Sequence, residues 1–120
     1  MPTLLTFPGQ GAQRPGMLHM LPEHRAISRT LAEASDVLGV DVLRHDDAGH
    51  LVSTVSVQLC LLVAGVASAR ALIEDGAQAH AVAGLSIGAY AAAVIAGVLS
   101  FADAVRLVAL RGKLMETAYP

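Results

Sequence analysis

The pentapeptide Gly84-Leu85-Ser86-Ile87-Gly88 constrains the fold of this chain more than any other stretch. An apolar run, Ala81-Val82-Ala83, leads in, and the alanine-rich segment Tyr90-Ala91-Ala92-Ala93-Val94-Ile95-Ala96 leads out. Strand, sharp turn and helix form the setting in which the serine of a G-x-S-x-G sequence becomes a nucleophile. At so tight a turn, side chains two residues before and after the serine would collide. Gly84 and Gly88 have none to collide. Ser86 then projects at the positive end of the following helix, where backbone N–H groups can receive a developing negative charge. The alternative is a glycine-flanked serine that merely caps a helix. Strand, both glycines and helix falling in register favour the nucleophile.

Elsewhere, Thr3-Leu4-Leu5-Thr6-Phe7 predicts a short buried strand, ended by Pro8-Gly9. Residues 8–16 form a loop with three glycines. A helical stretch is expected at residues 17–21 and another over 23–38, where Ile27, Leu31, Ala34 and Leu38 recur at helical spacing before Gly39. Residues 41–50 predict an exposed polar connection, with Asp46-Asp47-Ala48-Gly49 as a turn. A long apolar helix over residues 53–74 follows, stopped by Asp75-Gly76. After the elbow helix over 86–98, Ser100-Phe101-Ala102-Asp103 opens a final helix to about Thr117, with Asp103 in place of the usual capping-box Glu or Gln. The sequence then stops at Pro120 with no closing element. Strands separated by long helices predict parallel pairing with helices on both faces. Two strands are few for that architecture, so a part of a larger α/β unit is expected.

Composition removes several function classes. A formal charge of −2 and a pI near 6.2 give no reason to expect nucleic acid or an anionic membrane as partner. Residues 51–69 and 76–102 lack charged side chains, and each is long enough to raise the question of a membrane span. The second holds Gln78, His80, Gly84, Ser86, Gly88 and Gly97, and the first carries Ser53, Thr54, Ser56 and Gln58 near its start, so both are read as protein core and no membrane partner is expected. No basic region precedes the first apolar run, so no secretory signal is expected. The single cysteine, Cys60, sits among apolar residues as a small buried hydrophobe; with no internal disulfide possible, a cytoplasmic setting is expected.

A serine of this kind needs a base and an oxyanion hole. One donor should be the Ile87 N–H, the other a loop after a neighbouring strand, and Phe7-Pro8-Gly9-Gln10-Gly11 is such a loop. Five histidines are present, yet none is a convincing base. His80 precedes the strand and falls about 20 Å from Ser86; His24, His45 and His50 lie in polar segments, and nothing orients His19. Arg111 is the remaining unusual residue. Its helical neighbours Leu107, Val108, Leu114 and Met115 are apolar, a costly setting for a cation unless it meets an anion. Either it snorkels past the core or it holds a carboxylate in a planar two-point fork. Arg106, with Asp103 three residues before it, belongs on the solvated face.

Three motifs in order, Phe7-Pro8-Gly9-Gln10-Gly11-Ala12-Gln13, the elbow, and residues 101–108 through Arg111-Gly112-Lys113-Leu114-Met115, resemble the malonyl-CoA:acyl-carrier-protein transacylase family over essentially the whole chain. The resemblance implies a partial three-layer, parallel-sheet, α/β-hydrolase-like acyltransferase domain. Ser86 would be the acyl-accepting nucleophile, Gln10 and Ile87 would supply the oxyanion N–H groups, Arg111 would grip the free malonyl carboxylate, and Gln58 matches a glutamine near the site. Malonyl-CoA would be the substrate and a phosphopantetheine-type thiol on an acyl carrier protein the acceptor, with no tightly bound cofactor and no metal. The usual elbow has histidine before the serine and glutamate after the second glycine, where this chain has Leu85 and Ala89. Gly-Leu-Ser-Ile-Gly-Ala-Tyr is similar instead to the epsilon subunit of malonate decarboxylase, which makes that enzyme's carrier subunit the expected partner. Family members run to well over twice this length, and their catalytic histidine and ferredoxin-like insert lie in the part absent here. Residues 1–120 are therefore expected to be the N-terminal part of a malonyl transferase catalytic domain, inactive alone and prone to self-association. A serine hydrolase is the competing activity, against which Arg111 argues.

Overall fold

The computed structural model describes residues 2–118. Met1, Tyr119 and Pro120, and with them the expected stop after the last helix, lie outside the described residues. Strand β1 (Leu4–Phe7) pairs in parallel with β2 (Ala81–Gly84), in the register Leu4 to Ala81 through Phe7 to Gly84. Four helices accompany them: α1 (Arg25–Leu38), α2 (Thr54–Glu74), α3 (Gly88–Ile95) and α4 (Phe101–Ala118).

Helix α2 is the core of the molecule. It has no polar face, and a helix apolar all round is stable only when surrounded. Val57, Leu59, Leu62, Val63 and Val66 are buried against α1, α3 and α4. Its length and mean hydropathy of 1.8 match a membrane span, yet two thirds of the apolar window is buried within this fold. Cys60 is buried there too, and desolvation, with the charge of Asp46 second, pushes its thiol up to about 12. Such a thiol is a packing group and not a nucleophile.

The sheet belongs to the expected class, with one layer open. Phe7 is buried and Leu5, Val82 and Gly84 are half-buried on the face toward the helices. The alternating residues Leu4, Thr6, Ala81 and Ala83 are exposed. Helices thus cover one face of this two-stranded sheet among the described residues, although both faces were expected to be covered. Parallel sheets normally carry cover on both.

Helix α1 follows its sequence pattern closely. His24 caps it through Nδ1, which accepts from the Ala26 N–H at 3.0 Å, and Gly39 ends it at φ +74°. The helix expected at residues 17–21 is instead a set of turns. The Leu18 and His19 N–H groups donate to the Asp46 carboxylate at 2.9 and 3.1 Å, so they are diverted from helical carbonyls. That also corrects the expected exposed connection over 41–50. Val42–Asp46 and His50–Val52 are short 3₁₀ turns, and Asp46 is only 2% exposed, with His19 Nδ1 as a further partner at 2.7 Å. A buried carboxylate is tolerated because its donors surround it.

Helices α2 and α4 pack antiparallel. At one end the Arg70 guanidinium lies 4.8 Å from the Phe101 ring centre; at the other, Glu116 meets Ser53. Between them Gly112 is buried, and a methyl group there would stand 2.7 Å from the Val55 Cα. The two backbones come this close because Gly112 has no side chain.

Candidate active site

Ser86 occupies the bend between β2 and α3 with φ +55°, the one non-glycine residue with positive φ among the described residues. This left-handed conformation costs about 1–3 kcal/mol and persists only when the surroundings enforce it. The enforcement is visible. A Cβ on Gly84 would overlap the Gly88 carbonyl, and one on Gly88 would overlap the Phe7 carbonyl. The elbow therefore packs directly on the end of β1, and both glycines are required by contact. Helix α3 begins two residues after Ser86, with neither an acidic residue in its first turn nor a side-chain cap, so its positive end is bare.

Five side chains meet at this point. Arg111 donates through one terminal nitrogen to Ser86 Oγ at 2.9 Å and through the other to Gln58 Oε1. Gln58, fully buried on α2, in turn donates to Gln10 Oε1 at 3.4 Å. The guanidinium also stands 5.8 Å from the Tyr90 ring centre, on the turn of α3 after the serine. Arg111 has no carboxylate partner among the described residues, whereas Arg106 pairs with Asp103 at 3.2 Å as expected. The guanidinium of half-buried Arg111 thus turns toward the exposed serine.

The loop after β1 reaches the elbow as well. A Cβ on Gly9 would lie 3.1 Å from the Leu85 carbonyl oxygen. Among the described residues, the backbone N–H groups of Gln10 and Ile87 donate to no acceptor. The Ile87 side chain is fully buried and anchors the bend. Leu85 is 81% exposed and Ala89 is exposed, so both positions where the elbow departs from the usual pattern face outward.

No imidazole contacts Ser86 among the described residues. His80 lies at the far end of β2, where its Nδ1 accepts from the Thr3 N–H at 2.9 Å. His19 pairs with Asp46, His24 with Asp75 and His50 with Asp47. His45 is half-buried and bonded to Ser56 Oγ at 2.7 Å, which corrects its expected exposure; His24, too, is partly buried. Burial first, and the neighbouring His50 second, lower the His45 pKa. No cluster of His, Cys, Asp and Glu among the described residues is placed to hold a metal ion.

Sequence reasoning missed Tyr90. The signal was available: an aromatic four residues after Ser86 lies on the same face of the elbow helix. Gln58 carried a weaker one, as a lone amide within an apolar run.

The acyl transferase domain model matches residues 5–120. The malonyl CoA-acyl carrier protein transacylase of Escherichia coli K12 is 46% identical over 119 residues, covering 95% of this chain and 38% of that protein. An acyl-carrier-protein S-malonyltransferase from Burkholderia pseudomallei superposes with a TM-score of 0.91 at 41% identity, covering 100% of this chain and 40% of the other. A malonyl-transacylase in complex with its type II polyketide acyl carrier protein gives 0.90 at 44%, with the same coverage. The chain thus spans about two fifths of the length of these relatives. They are transacylases that use acyl carrier proteins, and they lend no support to the expected kinship with malonate decarboxylase. A match running from the first strand through the last helix, together with these superpositions, shows that the chain belongs to the acyl transferase domain family.

Proposed function

We propose that this chain carries the acyl-binding half of a malonyl transferase that moves malonyl from coenzyme A to the thiol of an acyl carrier protein. Its support is the Arg111 guanidinium, bonded to Ser86 Oγ at 2.9 Å and held from behind by Gln58 without a carboxylate of its own. An acyl group on Ser86 then carries its far end past a free cation. A dicarboxylic acyl group gains a two-point, charge-assisted contact there, and a monocarboxylic one leaves the arginine unused.

In the first half-reaction Ser86 Oγ attacks the thioester carbonyl. Its proton passes to a base outside the contacts described, the new C–O bond forms, and the C–S bond breaks to release coenzyme A, which takes that proton. The free N–H groups of Gln10 and Ile87 donate to the transient oxyanion. In the second half-reaction a phosphopantetheine thiol attacks the serine ester and the same bonds exchange in reverse. Of the two candidate carriers, the acyl carrier protein has the support of the transacylase relatives and of the complex with a polyketide carrier. The decarboxylase carrier rests on Leu85 and Ala89 alone. A cytoplasmic setting fits the single free thiol.

With no imidazole on Ser86, the 120 residues should acylate slowly and without turnover. Competition labelling with equal malonyl- and acetyl-coenzyme A, read by peptide mass spectrometry, tests the assignment. A malonyl ester on Ser86, at least about tenfold preferred, with the preference lost in Arg111→Ala, is the expected result. Equal labelling by the two thioesters, or labelling that survives Ser86→Ala, contradicts it.

A further inference from the structure

We propose that Glu116 is a positioning residue, which caps the first turn of α2 from across the helix pair and thereby fixes Arg111 over Ser86. The inference rests on the proposed role of Arg111. Ser53 opens α2, yet its hydroxyl makes no capping bond to its own helix, and the first turn contains no acidic residue. A helix start left this way has unsatisfied N–H groups and an uncompensated positive end. Glu116 supplies both from α4. Its Oε1 accepts from Ser53 Oγ at 2.7 Å and from the Val55 N–H at 3.3 Å. These bonds hold the Glu116 carboxyl below the usual glutamate range, so it is ionised at neutral pH.

The geometry connects this cap to the site. Along the antiparallel pair, Glu116 lies against Ser53, Gly112 against Val55, and Arg111 against Gln58. Gly112 permits the close approach but, lacking a side chain, does not set the sliding register of one helix on the other. Arg111 is itself half-exposed and held by neutral partners. Glu116, about one turn further on, is the nearest charged group that pins α4 to α2. Releasing it lets the last turns of α4 shift, and the guanidinium loses its alignment with Gln58 and Ser86.

Nitrogen-15 relaxation of the Arg111 Nε–Hε group in the full 120-residue chain reads this directly. In Glu116→Ala the group should loosen toward the mobility of exposed Arg44. Glu116→Gln keeps an oxygen acceptor and should restore the order. Malonate titration should show affinity about fivefold weaker in Glu116→Ala and largely recovered in Glu116→Gln. If Glu116→Ala fails to fold, Ser53→Ala, which removes one of the two donors, is read in the same way. Unchanged Arg111 order alongside faster amide exchange in the first turn of α2 overturns the proposal, as does equal loosening in the alanine and glutamine variants. Failure of the wild-type chain to bind malonate counts against the malonyl assignment instead, and leaves the relaxation comparison intact.

Discussion

The elbow around Ser86 and the seam between α2 and α4 hold functional side chains by opposite means. At the elbow, residues adjacent in sequence enforce a strained backbone: Gly84 and Gly88 close on each other and on Phe7, and Ser86 is left with φ +55°. At the seam nothing is strained. Arg111 of α4 meets Gln58 of α2, and Glu116, further along α4, meets Ser53 and the Val55 N–H at the start of α2, so each contact joins helices far apart in the chain. A reactive hydroxyl needs a fixed bend, which backbone overlap provides. A carboxylate receptor needs a guanidinium that can exchange one partner for another, which hydrogen bonds to neutral acceptors allow.

Breaking the elbow should have the largest effect. Gly84→Ala drives a methyl group into the Gly88 carbonyl, where no flexible side chain can yield, and should cost about 3 kcal/mol or more in denaturant unfolding. Labelling of Ser86 by every thioester should vanish with it. Gly112→Ala meets the Val55 backbone at 2.7 Å and should cost less, about 1–2 kcal/mol, since alanine returns some helix propensity. Here the chain should stay folded and still accept acetyl, while its malonyl preference falls. Loss of both activities in Gly112→Ala would erase the distinction between the two regions.

The smallest effect isolates the strain itself. Ser86→Gly and Ser86→Ala both remove the hydroxyl bonded to Arg111, but only glycine relieves the left-handed backbone. The glycine variant should be the more stable by about 1 kcal/mol in thermal or denaturant unfolding. Equal stabilities would mean that the bend stores no energy.

The same contrast explains how much could be read beforehand. The elbow, the glycine loop and both strands were legible because their signals are consecutive residues with fixed steric consequences. Arg111 was legible as a cation among apolar helical neighbours, although its direction was not. Asp46 was misjudged because its burial depends on donors from Leu18 and His19, twenty-seven or twenty-eight residues away. Those same bonds dissolved the helix expected at 17–21. Glu116 carries no local signal at all, since its work is done on the start of a different helix. The open face of the sheet, with Leu4 58% exposed, fits the expected part of a larger α/β unit, although strand alternation could not tell which face would lie open.

The most direct measurement is a crystal structure of the chain trapped as its Ser86 malonyl ester. The account predicts that the free carboxylate takes two N–H groups of Arg111, the guanidinium having left the serine oxygen but kept Gln58. A carboxylate pointing into solvent, with the Arg111 guanidinium bound elsewhere, would contradict it.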